Sequence, residues 1–133
     1  MSADPVTYLD SSAINKLVQP EPESDALRLY LAARPNRATS MVGKVEVLRF
    51  AQRYSPAATA AAELILGAMT LIELDSPLAG TASGLPPAVL RSLDAIHVAS
   101  ALSFGDQLAG VVTYDVRMQE AARAAGLNVA APA

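Results

Sequence analysis

Short runs rich in β-branched residues alternate with stretches of helical periodicity along the chain, and that alternation leaves few folds open. Val6-Thr-Tyr-Leu9 is the first such run, and it ends on the turn or cap signal Asp10-Ser-Ser. Ile14, Leu17 and Val18 then share a helical face. Helices are expected from Ser24 to Ala33 and from Met41 to Arg53, separated by a short strand from Arg37 to Ser40. Val42, Val45, Leu48 and Phe50 form the apolar face expected of the second of these helices. Ser55-Pro56 marks a cap and first turn before an Ala/Leu-rich helix, Ala57 to Met69, and Thr70 to Leu74 is a third strand. Asp75 to Pro87, carrying Pro77, Gly80 and Gly84, reads as a loop with room for a short helix. A helix from Ser92 to Phe104, with Leu93, Ile96, Ala99 and Ser100 on one face, precedes a fourth strand, Gly110 to Tyr114. A last helix, Val116 to Ala125, stops at Gly126, and Leu127 to Val129 is a short final strand. Strands joined through helices pair in parallel, so the pattern predicts an α/β fold with both faces of the sheet covered. Ligand sites in such sheets lie at the carboxyl ends of the strands.

Composition narrows the chemistry. The 133 residues suffice for one domain, 1–133, with a sizeable core. Ten Lys+Arg against thirteen Asp+Glu give a net charge of −3, which argues against binding nucleic acid through bulk positive charge. Cysteine is absent and histidine occurs once, at His97, which excludes disulfides, thiol nucleophiles and His-rich zinc sites. With no Trp and 5% aromatics, stacking platforms for single-stranded nucleic acid are scarce. Met1 to Asp10 lacks the basic and apolar regions of a signal peptide, and no apolar run approaches the ~18 residues of a membrane span, so a soluble cytoplasmic protein is expected.

Four acids stand where chemistry is done. Asp10 directly follows the first strand and Asp115 the fourth, which aims both at the carboxyl edge; each also suits the cap of the next helix. Glu46 shares a helix stripe with Val42 and Phe50, where an unpaired carboxylate is costly. Asp94 lies in the first turn of its helix, two residues after Ser92, the expected cap, where the helix dipole favours an acid. Four carboxylates gathered at one edge repel one another unless a cation joins them. All-oxygen ligands select Mg²⁺ or Mn²⁺ over zinc, and such ions serve phosphate-ester hydrolysis.

Taken in order, Tyr8-Leu-Asp10-Ser-Ser-Ala13, Val45-Glu46-Val-Leu-Arg49, Arg91-Ser-Leu-Asp94-Ala-Ile-His97 and Val112-Thr-Tyr-Asp115-Val-Arg117 resemble the motifs of PIN-domain ribonucleases. The likeness is greatest to the VapC toxins of type II toxin–antitoxin systems and extends from about Val6 to Val129. It implies a three-layer αβα sandwich around a mainly parallel sheet of about four to five strands. It also implies Mg²⁺- or Mn²⁺-dependent endoribonuclease activity, with Asp10, Glu46, Asp94 and Asp115 as metal-binding catalytic acids. Ser12 and Thr113 match positions where the family has a hydroxyl beside the site, there to orient ligands or water. As partners the resemblance implies an RNA substrate, a second copy of the chain, and a VapB-type antitoxin whose C-terminal segment occupies the acidic groove; no membrane is implied.

Other residues and motifs are less telling. His97 lies three positions after Asp94, yet a core histidine with a hydrogen bond accounts for it, and the PIN-type mechanism does not require it. Arg91, Arg49, Arg117 and Lys44 could meet RNA phosphates, balance the acids, or simply stand in solvent. No lysine follows Lys44, Ser12 stands where a phosphatase D-x-D motif needs an acid, and Ile14 spoils an adhesion-type D-x-S-x-S motif. Walker-A and dinucleotide glycine patterns are missing. The alternative to an active toxin is a non-catalytic or weakly active PIN-like module that binds a metal or a peptide. With four acids assigned to a metal site, nine remain against ten basic residues, so the negative balance does not oppose a nuclease that draws its positive charge from bound ions.

Overall fold

The computed structural model describes residues 4–133. Residues 1–3, the head of the segment without signal-peptide character, lie outside the described residues. Five strands form one parallel sheet: β1 (Val6–Leu9), β2 (Arg37–Ser40), β3 (Thr70–Ile72), β4 (Leu108–Val112) and β5 (Val129–Ala130). Their spatial order is β3-β2-β1-β4-β5. The chain winds outward from β1 to β3, then crosses back to place β4 on the other side of β1. The winding therefore reverses between β1 and β4, where Tyr8 pairs with Val111 and Leu9 with Val112. Open α/β sheets bind ligands at the carboxyl end of such a reversal.

All four residues of β1 are buried, as the central strand of a sheet covered on both faces requires. Alternation divides its side chains between two cores. Leu9 and Val112 join Ile14, Leu27, Val47 and Leu66 on one face, beneath helices α1 (Ser11–Val18), α2 (Ser24–Ala32), α3 (Met41–Gln52) and α4 (Pro56–Gly67). Val6, Tyr8 and Val111 join Val98 and Met118 on the other, beneath α6 (Ser92–Leu102) and α7 (Val116–Ala124). Burying each of these larger side chains contributes roughly 1.5–3 kcal/mol. The result is the three-layer αβα sandwich around a parallel sheet.

The structure sharpens or corrects sequence expectation in several places, and element ends shift by one or two residues elsewhere. The segment read as a loop with room for a short helix does hold one, nine residues long: α5 (Ser76–Gly84), capped by Asp75, which accepts from the Leu78 amide at 2.9 Å. Pro77 stands in its first turn, where no amide donor is required, and Leu78 and Ala82 anchor it against Ala95 and Ala99 of α6. Helix α3 turns a different face inward: Gly43, Val47 and Ala51 are buried, whereas Val45 is 56% exposed. Helix α6 is capped by Arg91 without a side-chain bond, so Ser92 is its first residue and not its cap, and Leu93 faces outward. Strand β4 ends at Val112, and Thr113 to Asp115 form the connection into α7. No helix among the described residues is long and apolar enough to cross a membrane.

Candidate active site

The corner where β1 enters α1 meets the corner where β4 enters α7. Asp10 caps α1, its Oδ1 accepting from the Ala13 amide at 3.1 Å, and Asp115 caps α7 by accepting from the Arg117 amide at 2.9 Å. Capping and a place at the carboxyl edge therefore go together at both acids. Asp10 is 4% exposed and takes two further hydrogen bonds, from Ser12 Oγ to Oδ1 and from Thr113 Oγ1 to Oδ2, both at 2.6 Å. The two hydroxyls also stitch the corners together. Ser12 Oγ accepts from the Tyr114 amide at 2.9 Å, and Thr113 Oγ1 accepts from the Asp115 amide at 3.2 Å. Burial pushes the Asp10 carboxyl above its ordinary pKa, opposed by the Ser12 and Thr113 donors and by the nearby His97.

Asp94, third residue of α6, is buried to 7% exposure, and its Oδ2 accepts from Arg91 Nε at 3.0 Å. Nη2 of the same guanidinium reaches Asp115 Oδ2 at 3.1 Å. Of the three roles open to Arg91, the structure shows it balancing the acids, and its hydrogen bond to Asp94, with the charge of both acids, holds the guanidinium above its ordinary pKa. Glu46 stands half-buried on α3 and is bonded at Oε1 to Nε2 of His97 at 2.7 Å. His97 is core-buried and hydrogen-bonded, as expected of it, with Nδ1 2.7 Å from the Tyr8 hydroxyl.

The structure thus links Asp10 to Asp115 through Thr113, and Asp94 to Asp115 through Arg91, while Glu46 reaches the group by way of α6. Among the described residues no three His, Asp or Glu side chains stand close enough together to share one cation. A guanidinium takes up charge that would otherwise drive Asp94 and Asp115 apart. The donor set still suits a hard divalent ion: it is all carboxylate oxygen, and two of its members already hold a cationic group. Beside Asp94 and Arg91 opens a cavity of about 430 Å³ whose lining includes Pro87, Val89, Leu90 and Arg117.

Two contributors escaped the sequence reading. Tyr8 reads from sequence as a strand residue at the head of the first motif, yet a phenol in a fully buried strand demands a polar partner, which here is His97. Nothing in the spacing pairs His97 with Glu46, 51 positions apart.

A sequence model described as the PIN domain matches residues 7–124. The chain belongs to the PIN-domain family. This PIN domain is 45% identical over 125 residues to Ribonuclease VapC46 of Mycobacterium tuberculosis, covering 94% of this chain and 96% of that protein. It is 40% identical over 130 residues to Ribonuclease VapC47 of the same species, with the same coverage of both chains. Among solved structures it is similar to the M. tuberculosis toxin VapC20, described as cleaving the sarcin–ricin loop, with a TM-score of 0.73 at 21% identity over 95% of this chain and 99% of that one. A toxin–antitoxin complex from Klebsiella pneumoniae matches with a TM-score of 0.73 at 22% identity, over 96% of this chain and 98% of that one. These structural likenesses extend over nearly the whole PIN domain and concern its fold.

Proposed function

We propose that this PIN domain is the toxin of a type II toxin–antitoxin pair, a cytoplasmic endoribonuclease that hydrolyses RNA phosphodiester bonds with Mg²⁺ or Mn²⁺. The observation that carries the reading is the convergence of acidic segments on the β1/β4 switch point: Asp10 and Asp115 at the two corners, with Asp94 joined to Asp115 through Arg91. Relatives 40–45% identical over nearly their whole length bear the name ribonuclease, which supports it. Asp10, Asp94 and Asp115 would hold the cation directly or through water, with Glu46 completing the site, and the spacing of the acids gives water a share of the coordination. When bound, the ion supplies positive charge at the scissile phosphate and makes water a better nucleophile. Ser12 and Thr113 fix both oxygens of Asp10, so this carboxylate has little freedom left to lose when a ligand arrives. Replacing Asp10 or Asp94 with Asn should abolish RNA cleavage in Mg²⁺, and undiminished cleavage by a folded variant would overturn the assignment.

The proposed partners follow from the same surface. A VapB-type antitoxin would lay its C-terminal segment along the acidic groove. Arg91 supports this, because its bonds to Asp94 and Asp115 are those an incoming guanidinium would make. The cavity with Pro87, Val89 and Leu90 would take apolar side chains of the same segment. A homodimer is proposed as well, as the family resemblance implies.

The same Arg91 bridge favours one second reading, a PIN-like module that binds a cation or a basic peptide without cutting RNA. Expression without an antitoxin separates the two. The toxin reading requires growth arrest that an acid-to-amide change abolishes, and the cleaved RNA ends would then identify the substrate.

A further inference from the structure

Tyr8, His97 and Glu46 form a hydrogen-bonded chain that runs from the middle of the sheet to its acidic edge. The Tyr8 hydroxyl lies 2.7 Å from His97 Nδ1, and His97 Nε2 lies 2.7 Å from Glu46 Oε1. The first two members are almost fully buried, whereas the Glu46 side chain keeps 28% of its surface. The ring has little room to move. Tyr8 packs edge-on to it, with centroids 5.8 Å apart at 72°, and a Cβ on Gly43 would come within 3.1 Å of Cε1.

We propose that His97 is a positioning residue: it presents Nε2–H to Glu46 in a tautomer fixed by Tyr8, and so holds this carboxylate in place at the acidic edge. A carboxylate only accepts hydrogen bonds, so the nitrogen facing Glu46 must carry a proton. The other nitrogen is then free to accept from the phenol. Burial keeps Tyr8 well above its ordinary pKa, so its hydroxyl retains the proton it donates. Without His97 the Glu46 side chain would sample several rotamers on a half-exposed helix face. A histidine that served packing alone could spend its second nitrogen on any backbone carbonyl. Here the nitrogen is spent on an acid 51 positions away. The inference rests on the reading of Glu46 as a ligand of the divalent ion.

The first test needs no substitution and no metal. Nitrogen-15 spectra of the wild-type protein at neutral pH should show His97 protonated at Nε2 and bare at Nδ1, and any other state overturns the proposal. The second test is calorimetric titration with Mn²⁺ alone. His97→Asn, which reaches Tyr8 but not Glu46, should bind Mn²⁺ about tenfold more weakly. His97→Gln, whose amide reaches the Nε2 position, should recover most of that loss. Glu46→Gln should weaken binding too, and adding His97→Asn to it should cost less than about twofold more, because coupled residues are not additive. Additive losses would mark His97 as structural and overturn the proposal. Full affinity in His97→Asn beside weakened Glu46→Gln would overturn this inference alone. Full affinity in Glu46→Gln would overturn the ligand reading itself, and the inference with it. If the histidine variants do not fold, Tyr8→Phe retains the ring but removes the hydroxyl that holds it; Mn²⁺ binding should weaken severalfold, and unchanged affinity counts against the proposal.

Discussion

Thr113 donates its hydroxyl proton to Asp10 at 2.6 Å across 103 positions of sequence. The same oxygen accepts from the Asp115 amide, so one side chain orients an acid at each corner of the site. Thr113→Val keeps the shape and removes both bonds. It leaves a buried carboxylate oxygen short of a donor, which costs about 1–3 kcal/mol. Thermal melts should register that loss, and RNA cleavage should fall with it. Thr113→Ser keeps the hydroxyl and should retain most of both; equal behaviour of the two variants would refute this role.

Asp10 makes stability depend on pH in an unusual direction for a carboxylate. Its folded pKa is raised by burial, so the native state holds the proton more tightly than the unfolded chain does. The stability it contributes is therefore complete below the ordinary carboxyl pKa and is lost as pH rises through the raised value. Asp10→Asn should melt above the wild type at pH 7 in the presence of a chelator, while losing cleavage. Asn caps a helix about as well as Asp, so the cap survives. The two melting curves should converge as pH falls below about 4. A gain that persists unchanged into acid would contradict the sign.

Gly43 marks a close approach. A Cβ there would lie 2.5 Å from Thr39 Oγ1 and 3.1 Å from His97 Cε1. Gly43→Ala gains about 1 kcal/mol of helix propensity but overpacks a buried contact, which costs roughly 1–3 kcal/mol. Overpacking should win, since Thr39 belongs to β2 and its backbone is held by the sheet. The variant should be less stable in urea and weaker in cleavage. A stabilised, fully active Gly43→Ala would show that the site yields easily.

Arg91 occupies oxygens of Asp94 and Asp115 that the proposed divalent ion would need. Arg91→Ala should raise Mn²⁺ affinity severalfold at low ionic strength, with a smaller gain in high salt. Its melting temperature should change little, because an ion pair to an exposed arginine contributes little stability. Weaker Mn²⁺ binding in this variant would show that the guanidinium assists the ion.

The layered fold was legible in the sequence because β-branched runs and helical periods alternate cleanly around Val6–Leu9 and Leu108–Val112. Asp10 and Asp115 were legible for a related reason: each directly follows or nearly follows a strand of the switch point. Helix α3 was misread because its buried stripe begins with Gly43, whose value lies in lacking a side chain, a property that hydrophobicity does not record. Helix α5 is only an option in the sequence because Pro77, Gly80 and Gly84 interrupt it, and only two residues, Leu78 and Ala82, carry its apolar signal. The Glu46–His97 bond and the Arg91 bridge join separate segments, and such pairings become visible only once the sheet order is known.

The bonds from Ser12 to Thr113 and Tyr114 join the first strand's corner to residues near the end of the chain. These contacts span 101 and 102 positions, so Asp10 gains its full hydroxyl surroundings only once β4 has docked beside β1. Separating those two strands would dismantle the acidic edge while leaving the Asp10 cap of α1 in place.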